Sequence, residues 1–294
     1  MRNRPVTLLL ALLGLAAAMP AFASSISARE FDSTALQRKW SYVVYLPTDY
    51  EKSKLRYPVL YLLHGNGGGM YDWVNRGHIQ ATADALIARG EMPPAIIVMP
   101  DADSTWYLDR KEKMETAVIH DLLSDVALNF RIIDTRGGRL VGGLSMGGYA
   151  ALRFSLKYPD MFAAAALLSP AIYDPVPPEN SGARRTEVFG APFDPDVWKA
   201  LNYPSLWDAY LARQMPVPMY VNSGDDDDRF IEVEAMKLYE LLRRSNQPAE
   251  LRIVDGGHTW AVWESTIGDA LRYIFRYASA PTTAETEKEA ATRQ

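Results

Sequence analysis

Residues 141–150 read VGGLSMGGYA, one serine among four glycines. The apolar run at 139–144 reads as a strand, and 148–158 reads as a helix. Ser145 therefore sits on the turn between them, inside Gly143-Leu144-Ser145-Met146-Gly147. This G-x-S-x-G spacing, with a strand before it and a helix after it, is that of a nucleophile elbow. Such a turn lifts the hydroxyl above the sheet edge. Its flanking residues approach each other too closely to carry side chains, so glycine is required there. The helix N-terminus behind the serine offers backbone amides to developing negative charge.

Outward from this turn, short apolar runs alternate with helical stretches. Strands are expected at 42–46, 59–63, 95–99, 139–144, 164–168, 219–222 and 250–254, and helices at 80–89, 115–129, 148–158, 232–245 and 259–277. Several runs are apolar throughout, as in strands covered on both faces. The alternation implies a mostly parallel central sheet with helices on both faces. A short charged link at 49–56 suggests that the first two strands pair antiparallel at one edge. Residues 173–218 are too long for an ordinary connection. Rich in proline, with a polar PPENSGARR stretch and the aromatics Phe189, Phe193, Trp198, Tyr203 and Trp207, they are expected to cap the carboxyl edge of the sheet.

The chain has 294 residues, 48% hydrophobic and 23% charged, enough for one large core. Its net charge of −5 gives no footprint for nucleic acid. Arg2 and Arg4 precede an apolar run at 6–19, followed by Pro20 and the small-x-small triplet Ala21-Phe22-Ala23. Residues 1–23 thus read as a secretory signal peptide, which implies periplasmic or secreted location. The run of 14 is short against the ~20 residues that span a bilayer, so no stable membrane anchor is expected after cleavage. Without the leader the chain carries 29 basic and 36 acidic residues. A catalytic domain is expected at 24–280, and a flexible tail at 281–294. The chain has no cysteine. That excludes a thiol nucleophile, a cysteine–zinc site and a lipidated N-terminal cysteine.

A serine hydroxyl needs a base to attack a carbonyl. Around such an elbow the triad runs in chain order serine, acid, histidine. Of the four histidines, only His258, in VDGGHTW after a late strand, follows the serine. His64 precedes it, in LLHGNGGG. His78 reads as a surface or capping residue, and His120 as a structural one within a helix. The acid belongs between Ser145 and His258 at a strand end, where VNSGDDDDRF offers Asp225 to Asp228. The run lacks the alternating spacing of a calcium loop. Asp227 is the first choice and Asp228 the second. The oxyanion hole would take the N–H of Met146 and, from the glycine-rich loop after the 59–63 strand, the N–H of Asn66. That loop lacks the lysine of a phosphate-binding P-loop.

With these residues placed, the chain resembles the α/β-hydrolase esterase family that includes feruloyl esterases, S-formylglutathione hydrolase, enterochelin-type esterases and mycolyltransferases. The segments that carry the likeness are YPVLYLLHGNGGGMYDW, ALIARGEMPPAIIVMPDAD, GLSMGGYAALRFSLKYPDMFAAAALLSP and GGHTWAVW. The resemblance implies the α/β-hydrolase fold with a cap-like insertion. It also implies Ser145 as nucleophile, His258 as base, Asp227 as acid, and Asn66 and Met146 as oxyanion donors. The leader, LLHGNGGGMYDW and DSTWYLD are most similar to secreted carbohydrate-ester esterases of the feruloyl type. Trp106, Tyr107 and Trp260 would then stack on a sugar or phenolic ring, or else pack in the core or rim. The expected activity is hydrolysis of a small-molecule or carbohydrate ester without metal or organic cofactor. Acyl transfer to a sugar hydroxyl, or ligand binding without catalysis, are the alternatives.

Overall fold

The structure is a computed structural model that describes residues 23–283. Most of the expected leader and the end of the tail, 1–22 and 284–294, lie outside the described residues. Eight strands form one sheet in the order β1-β2-β4-β3-β5-β6-β7-β8. They are β1 Ser25–Ser33, β2 Arg38–Leu46, β3 Val59–Leu63, β4 Ile96–Pro100, β5 Arg139–Leu144, β6 Ala164–Leu168, β7 Met219–Gly224 and β8 Ala249–Val254. Only β2 runs against the rest.

Side chains leave a strand on alternate faces, and the core divides accordingly. One face buries Val44, Tyr61, Val98 and Val141 beneath a helical run, α5 Met146–Lys157 and α8 Ile231–Arg244. The run comprises α3 Met114–Thr116, a π-helical stretch Ala117–Leu122 and α4 Leu123–Asn129. The other face buries Val43, Leu60, Ile97 and Leu140 beneath α1 Asp72–Asn75, α2 Ile79–Ala88 and α9 Trp260–Ile274. The fold class read from the sequence is therefore observed, with five of the seven expected strands reproduced within one residue at each end.

Two departures concern the edge. β1, SISAREFDS, is a mostly exposed strand with no apolar run to announce it. It pairs antiparallel with β2. The other neighbour of β2 is β4, also antiparallel, and not β3 as the short link suggested. β3 is apolar on both faces and buried along its whole length. Burial of that kind is met in the sheet interior, where it lies between β4 and β5.

The 173–218 insertion divides into two parts. Phe189, Trp198, Tyr203 and Trp207 are buried in the main core, carried partly by α6 Pro195–Leu201 and α7 Pro204–Ala212. Asn180, Gly182 and Arg185, from the polar stretch, line a cavity above the carboxyl edge of the sheet. Capping is thus done by polar residues, and the aromatics anchor them. Among the described residues, no helix is long and apolar enough to cross a membrane.

Candidate active site

The elbow forms where β5 ends and α5 begins. Ser145 takes φ 52° and ψ −113°, a conformation that side chains rarely adopt and that surrounding structure must hold. Its N–H donates to the Leu168 carbonyl at 2.9 Å, and its carbonyl accepts from Tyr149 at 2.9 Å and Ala171 at 3.1 Å. A β-carbon at Gly147 would lie 2.5 Å from the Leu63 carbonyl oxygen, and one at Gly143 would lie 2.6 Å from the Gly147 carbonyl carbon. Backbone crowding thus explains both flanking glycines.

His258 Nε2 lies 2.9 Å from Ser145 Oγ, and His258 Nδ1 lies 2.7 Å from Asp227 Oδ2. Asp227 is 3% exposed, and its other oxygen accepts the Arg229 N–H at 3.0 Å. A carboxylate only accepts, so Nδ1 carries the imidazole proton and Nε2 presents a lone pair to the serine hydroxyl. Asp225, Asp226 and Asp228 are exposed. Asp228 pairs with the Arg229 guanidinium at 2.6 Å, so of the four aspartates the structure brings Asp227 to the histidine.

The loops bearing acid and base are laced together. Asp225 N–H donates to the Val254 carbonyl at 2.9 Å and Asp226 N–H to the Gly256 carbonyl at 3.0 Å. Gly256 N–H returns a bond to Asp225 Oδ1 at 3.1 Å. Asp225, Asp226 and Asp255 place carboxylate oxygens within 4.8 Å of one another, the one such group among the described residues. All three are exposed to solvent, and exposed carboxylates gather in this way without an ion.

Helix α5 starts at Met146, so its first amides have no intrahelical acceptor and face the serine side. Asn66 is exposed on the loop after β3 and lines the same cavity as Ser145. His64 braces that loop from beneath. Its Nδ1 donates to the Gly65 carbonyl at 2.8 Å, and its Nε2 accepts from Ala102 N–H at 2.9 Å. Burial lowers its pKa below the usual histidine value, so the ring stays neutral and can accept. His78 and His120 are exposed; His78 occupies the residue before α2 and contacts Glu264.

The aromatic expectations need correction. Trp106 and Tyr107 are 1% and 0% exposed and do not line the cavity. Trp106 packs edge-on against Tyr149, Phe189 and Trp198. The Tyr107 hydroxyl accepts from His64 N–H at 2.9 Å. Neither ring is free to stack on a ligand, because both are buried within the protein. Trp260 does line the cavity. Sequence reasoning missed Trp263, whose ring meets His258 edge-on at 4.9 Å while its Nε1–H donates to Ser169 Oγ at 3.0 Å. Its place within an apolar helix face made it look like ordinary core.

The cavity holds about 440 Å³ and opens over Ser145 and His258. An elbow serine, an imidazole nitrogen 2.9 Å from its hydroxyl, and helix amides with no intrahelical acceptor can together perform acyl transfer.

Comparison with known proteins agrees. The model of the Esterase family matches residues 33–274. The acetyl esterase of Caldicellulosiruptor saccharolyticus is 27% identical over 83% of this chain and 96% of its own length. A ferulic acid esterase structure aligns with a TM-score of 0.73 and 29% identity, covering 87% of this chain and 99% of that one. An S-formylglutathione hydrolase from Agrobacterium tumefaciens shares the fold, with a TM-score of 0.71 at 18% identity over 89% and 98% of the two chains. The chain belongs to the Esterase family: it is a serine esterase built on the α/β-hydrolase fold.

Proposed function

We propose that the protein is an exported carboxylic-ester hydrolase in which Ser145, His258 and Asp227 form the catalytic triad. The observation that carries this reading is the continuous relay from Asp227 Oδ2 to His258 Nδ1, 2.7 Å, and from His258 Nε2 to Ser145 Oγ, 2.9 Å. As the serine oxygen bonds to the ester carbonyl carbon, its proton passes to His258 Nε2. Asp227 holds the resulting imidazolium without taking the proton. The N–H groups of Met146 and Asn66 receive the oxyanion. The tetrahedral species collapses, the bond to the alcohol breaks, and His258 returns the proton to the departing alkoxide. Water then enters, gives a proton to His258 and attacks the acyl-enzyme; collapse releases the acid and restores the serine.

The acetyl esterase and ferulic acid esterase among its relatives support an acetyl- or feruloyl-type acyl group, and the reading places that group on a carbohydrate alcohol. The leader at 1–23 supports export to the periplasm or beyond. In the test of the triad, wild type is labelled by a fluorophosphonate and hydrolyses p-nitrophenyl acetate. Ser145→Ala is expected to lose both while keeping its melting temperature. Hydrolysis above about a hundredth of wild type in the variant would show that another group is the nucleophile.

A further inference from the structure

The chain is acidic overall, with 36 Asp and Glu against 31 Lys and Arg. The cavity wall reverses that balance: Arg76, Arg185 and Arg229 line it, and Asp72 is its one carboxylate besides the polar and glycine residues. The three arginines come from three separate places: the end of α1, the polar stretch of the insertion, and the loop after β7. Arg76 and Arg185 are exposed, and among the described residues neither has a carboxylate at ion-pair distance. Arg229 gives one arm to Asp228.

The surroundings of Arg76 show how it is held. Its guanidinium lies over the Trp260 ring, 5.0 Å from the centroid. Trp260 is braced in turn by edge-on contacts with Trp73 at 5.3 Å and Trp263 at 5.4 Å. A ligand ring that stacked on that face would have to displace the cation. Trp260 therefore serves as the support of a guanidinium and not as a bare stacking platform. Positive charge gathered in a concave site on an acidic protein focuses the field on the space above Ser145. A guanidinium fork matches a carboxylate or phosphate with two parallel hydrogen bonds.

We infer that this site selects esters carrying an anionic group, carboxylate or phosphate, beside the bond to be cleaved, with Arg76 and Arg185 as the residues that recognise it. The inference rests on the hydrolase reading above. The anion can belong to the acyl part or to the alcohol part, and the test separates the two.

The experiment compares kcat/KM on paired substrates of similar size. Mono-p-nitrophenyl adipate against p-nitrophenyl hexanoate places the charge on the acyl side. p-Acetoxybenzoate against p-acetoxybenzamide places it on the alcohol side. In at least one pair the charged ester is expected to be preferred about tenfold or more, the worth of one charge-assisted hydrogen bond. The preference should reside mainly in KM. It should shrink about threefold or more when salt is raised from about 0.05 to about 0.5 M, and fall toward one in Arg76→Gln and Arg185→Gln. The ratio within each pair is the readout, so a general loss of activity or fold in a variant does not mimic the effect. Ratios at or below one in both pairs, or a preference that survives both substitutions, would overturn the inference while leaving the hydrolase reading intact. Failure of the wild type on all four esters, with Ser145 refusing the fluorophosphonate, would sink that reading and the inference with it.

Discussion

Replacing Asp227 by asparagine tests the geometry most sharply. The change keeps size and shape at a residue 3% exposed, so the fold should persist. The electrostatics change in two ways. First, the imidazolium that forms when His258 takes the serine proton loses its counter-charge. With charge centres about 4 Å apart and an effective dielectric near 20, the pair is worth about 4 kcal/mol. At 1.36 kcal/mol per decade that is roughly 10³ in rate. Second, an amide can turn its NH₂ toward Nδ1. That would put the proton on Nε2, where it blocks acceptance from the serine 2.9 Å away. Together the two effects place the loss in kcat between about 10³ and 10⁴, as for triads in general. The assay is p-nitrophenyl acetate hydrolysis, with thermal melting to confirm folding. Asp228→Asn serves as control. That carboxylate is exposed and paired with Arg229, an interaction worth about 0–1 kcal/mol, so the rate should change less than about fivefold. A folded Asp227→Asn retaining more than about a tenth of wild-type kcat would refute the assignment of the acid.

Gly147→Ala places a carbon 2.5 Å from the Leu63 carbonyl oxygen and 2.7 Å from that of His64. Backbone must shift, so stability should fall by about 1–3 kcal/mol in urea unfolding, and a neutral result would mean that the elbow yields more than its packing suggests. Trp263→Phe keeps most of the ring beside His258 but strands the buried Ser169 hydroxyl. A loss of about 1–3 kcal/mol in stability is expected, together with a lower kcat at little-changed KM; a pure KM effect would argue against a role in positioning the imidazole. His64 is held neutral by burial, below its ordinary 6.5. Its depressed folded pKa means that the unfolded chain binds a proton the fold refuses as pH drops below that value, so the His64 contribution is present at high pH and declines on acidification. The stability gap between wild type and His64→Gln should therefore narrow between about pH 8 and about pH 5; a gap of constant size would show that His64 does not titrate on unfolding.

The strands that carry the site were legible because the interior of a parallel sheet writes itself as unbroken apolar runs. Arg139–Leu144 and Ala164–Leu168 match their expected bounds on that account. Ser25–Ser33 was not legible. Most of its residues are exposed, and its strand character comes from pairing with Arg38–Leu46, not from composition. At the site, Ser145 and His258 stood out because glycine spacing and chain order are local signals. The choice among four aspartates was settled by burial, which no local pattern encodes: Asp227 turns inward and its neighbours turn out. Trp106 and Tyr107 show the converse. An aromatic pair in a loop reads the same whether it faces a ligand or its own core; the rings of Tyr149, Phe189 and Trp198 enclose Trp106, and the His64 backbone and ring hold Tyr107. Arg76 and Arg185 lie in segments that hold no motif, so only folding brings their charges to one rim.

The lacing of Asp225 and Asp226 to Val254 and Gly256 bears on how such a protein could be re-engineered. The carboxylate and the imidazole ride on one stiff jaw, whose two halves cannot be lengthened or exchanged independently without breaking its rungs. A transplant that carries only the histidine segment into another scaffold would lose its alignment, whereas one that moves both segments as a cassette keeps the 2.7 Å spacing. The insertion is tied to the same jaw, since Asn180 Nδ2 donates to the Asp228 carbonyl at 2.8 Å. A redesign of the cavity rim at Asn180 must keep that bond, whereas Arg76 and Arg185 reach the cavity with no such bond to the jaw among the described residues.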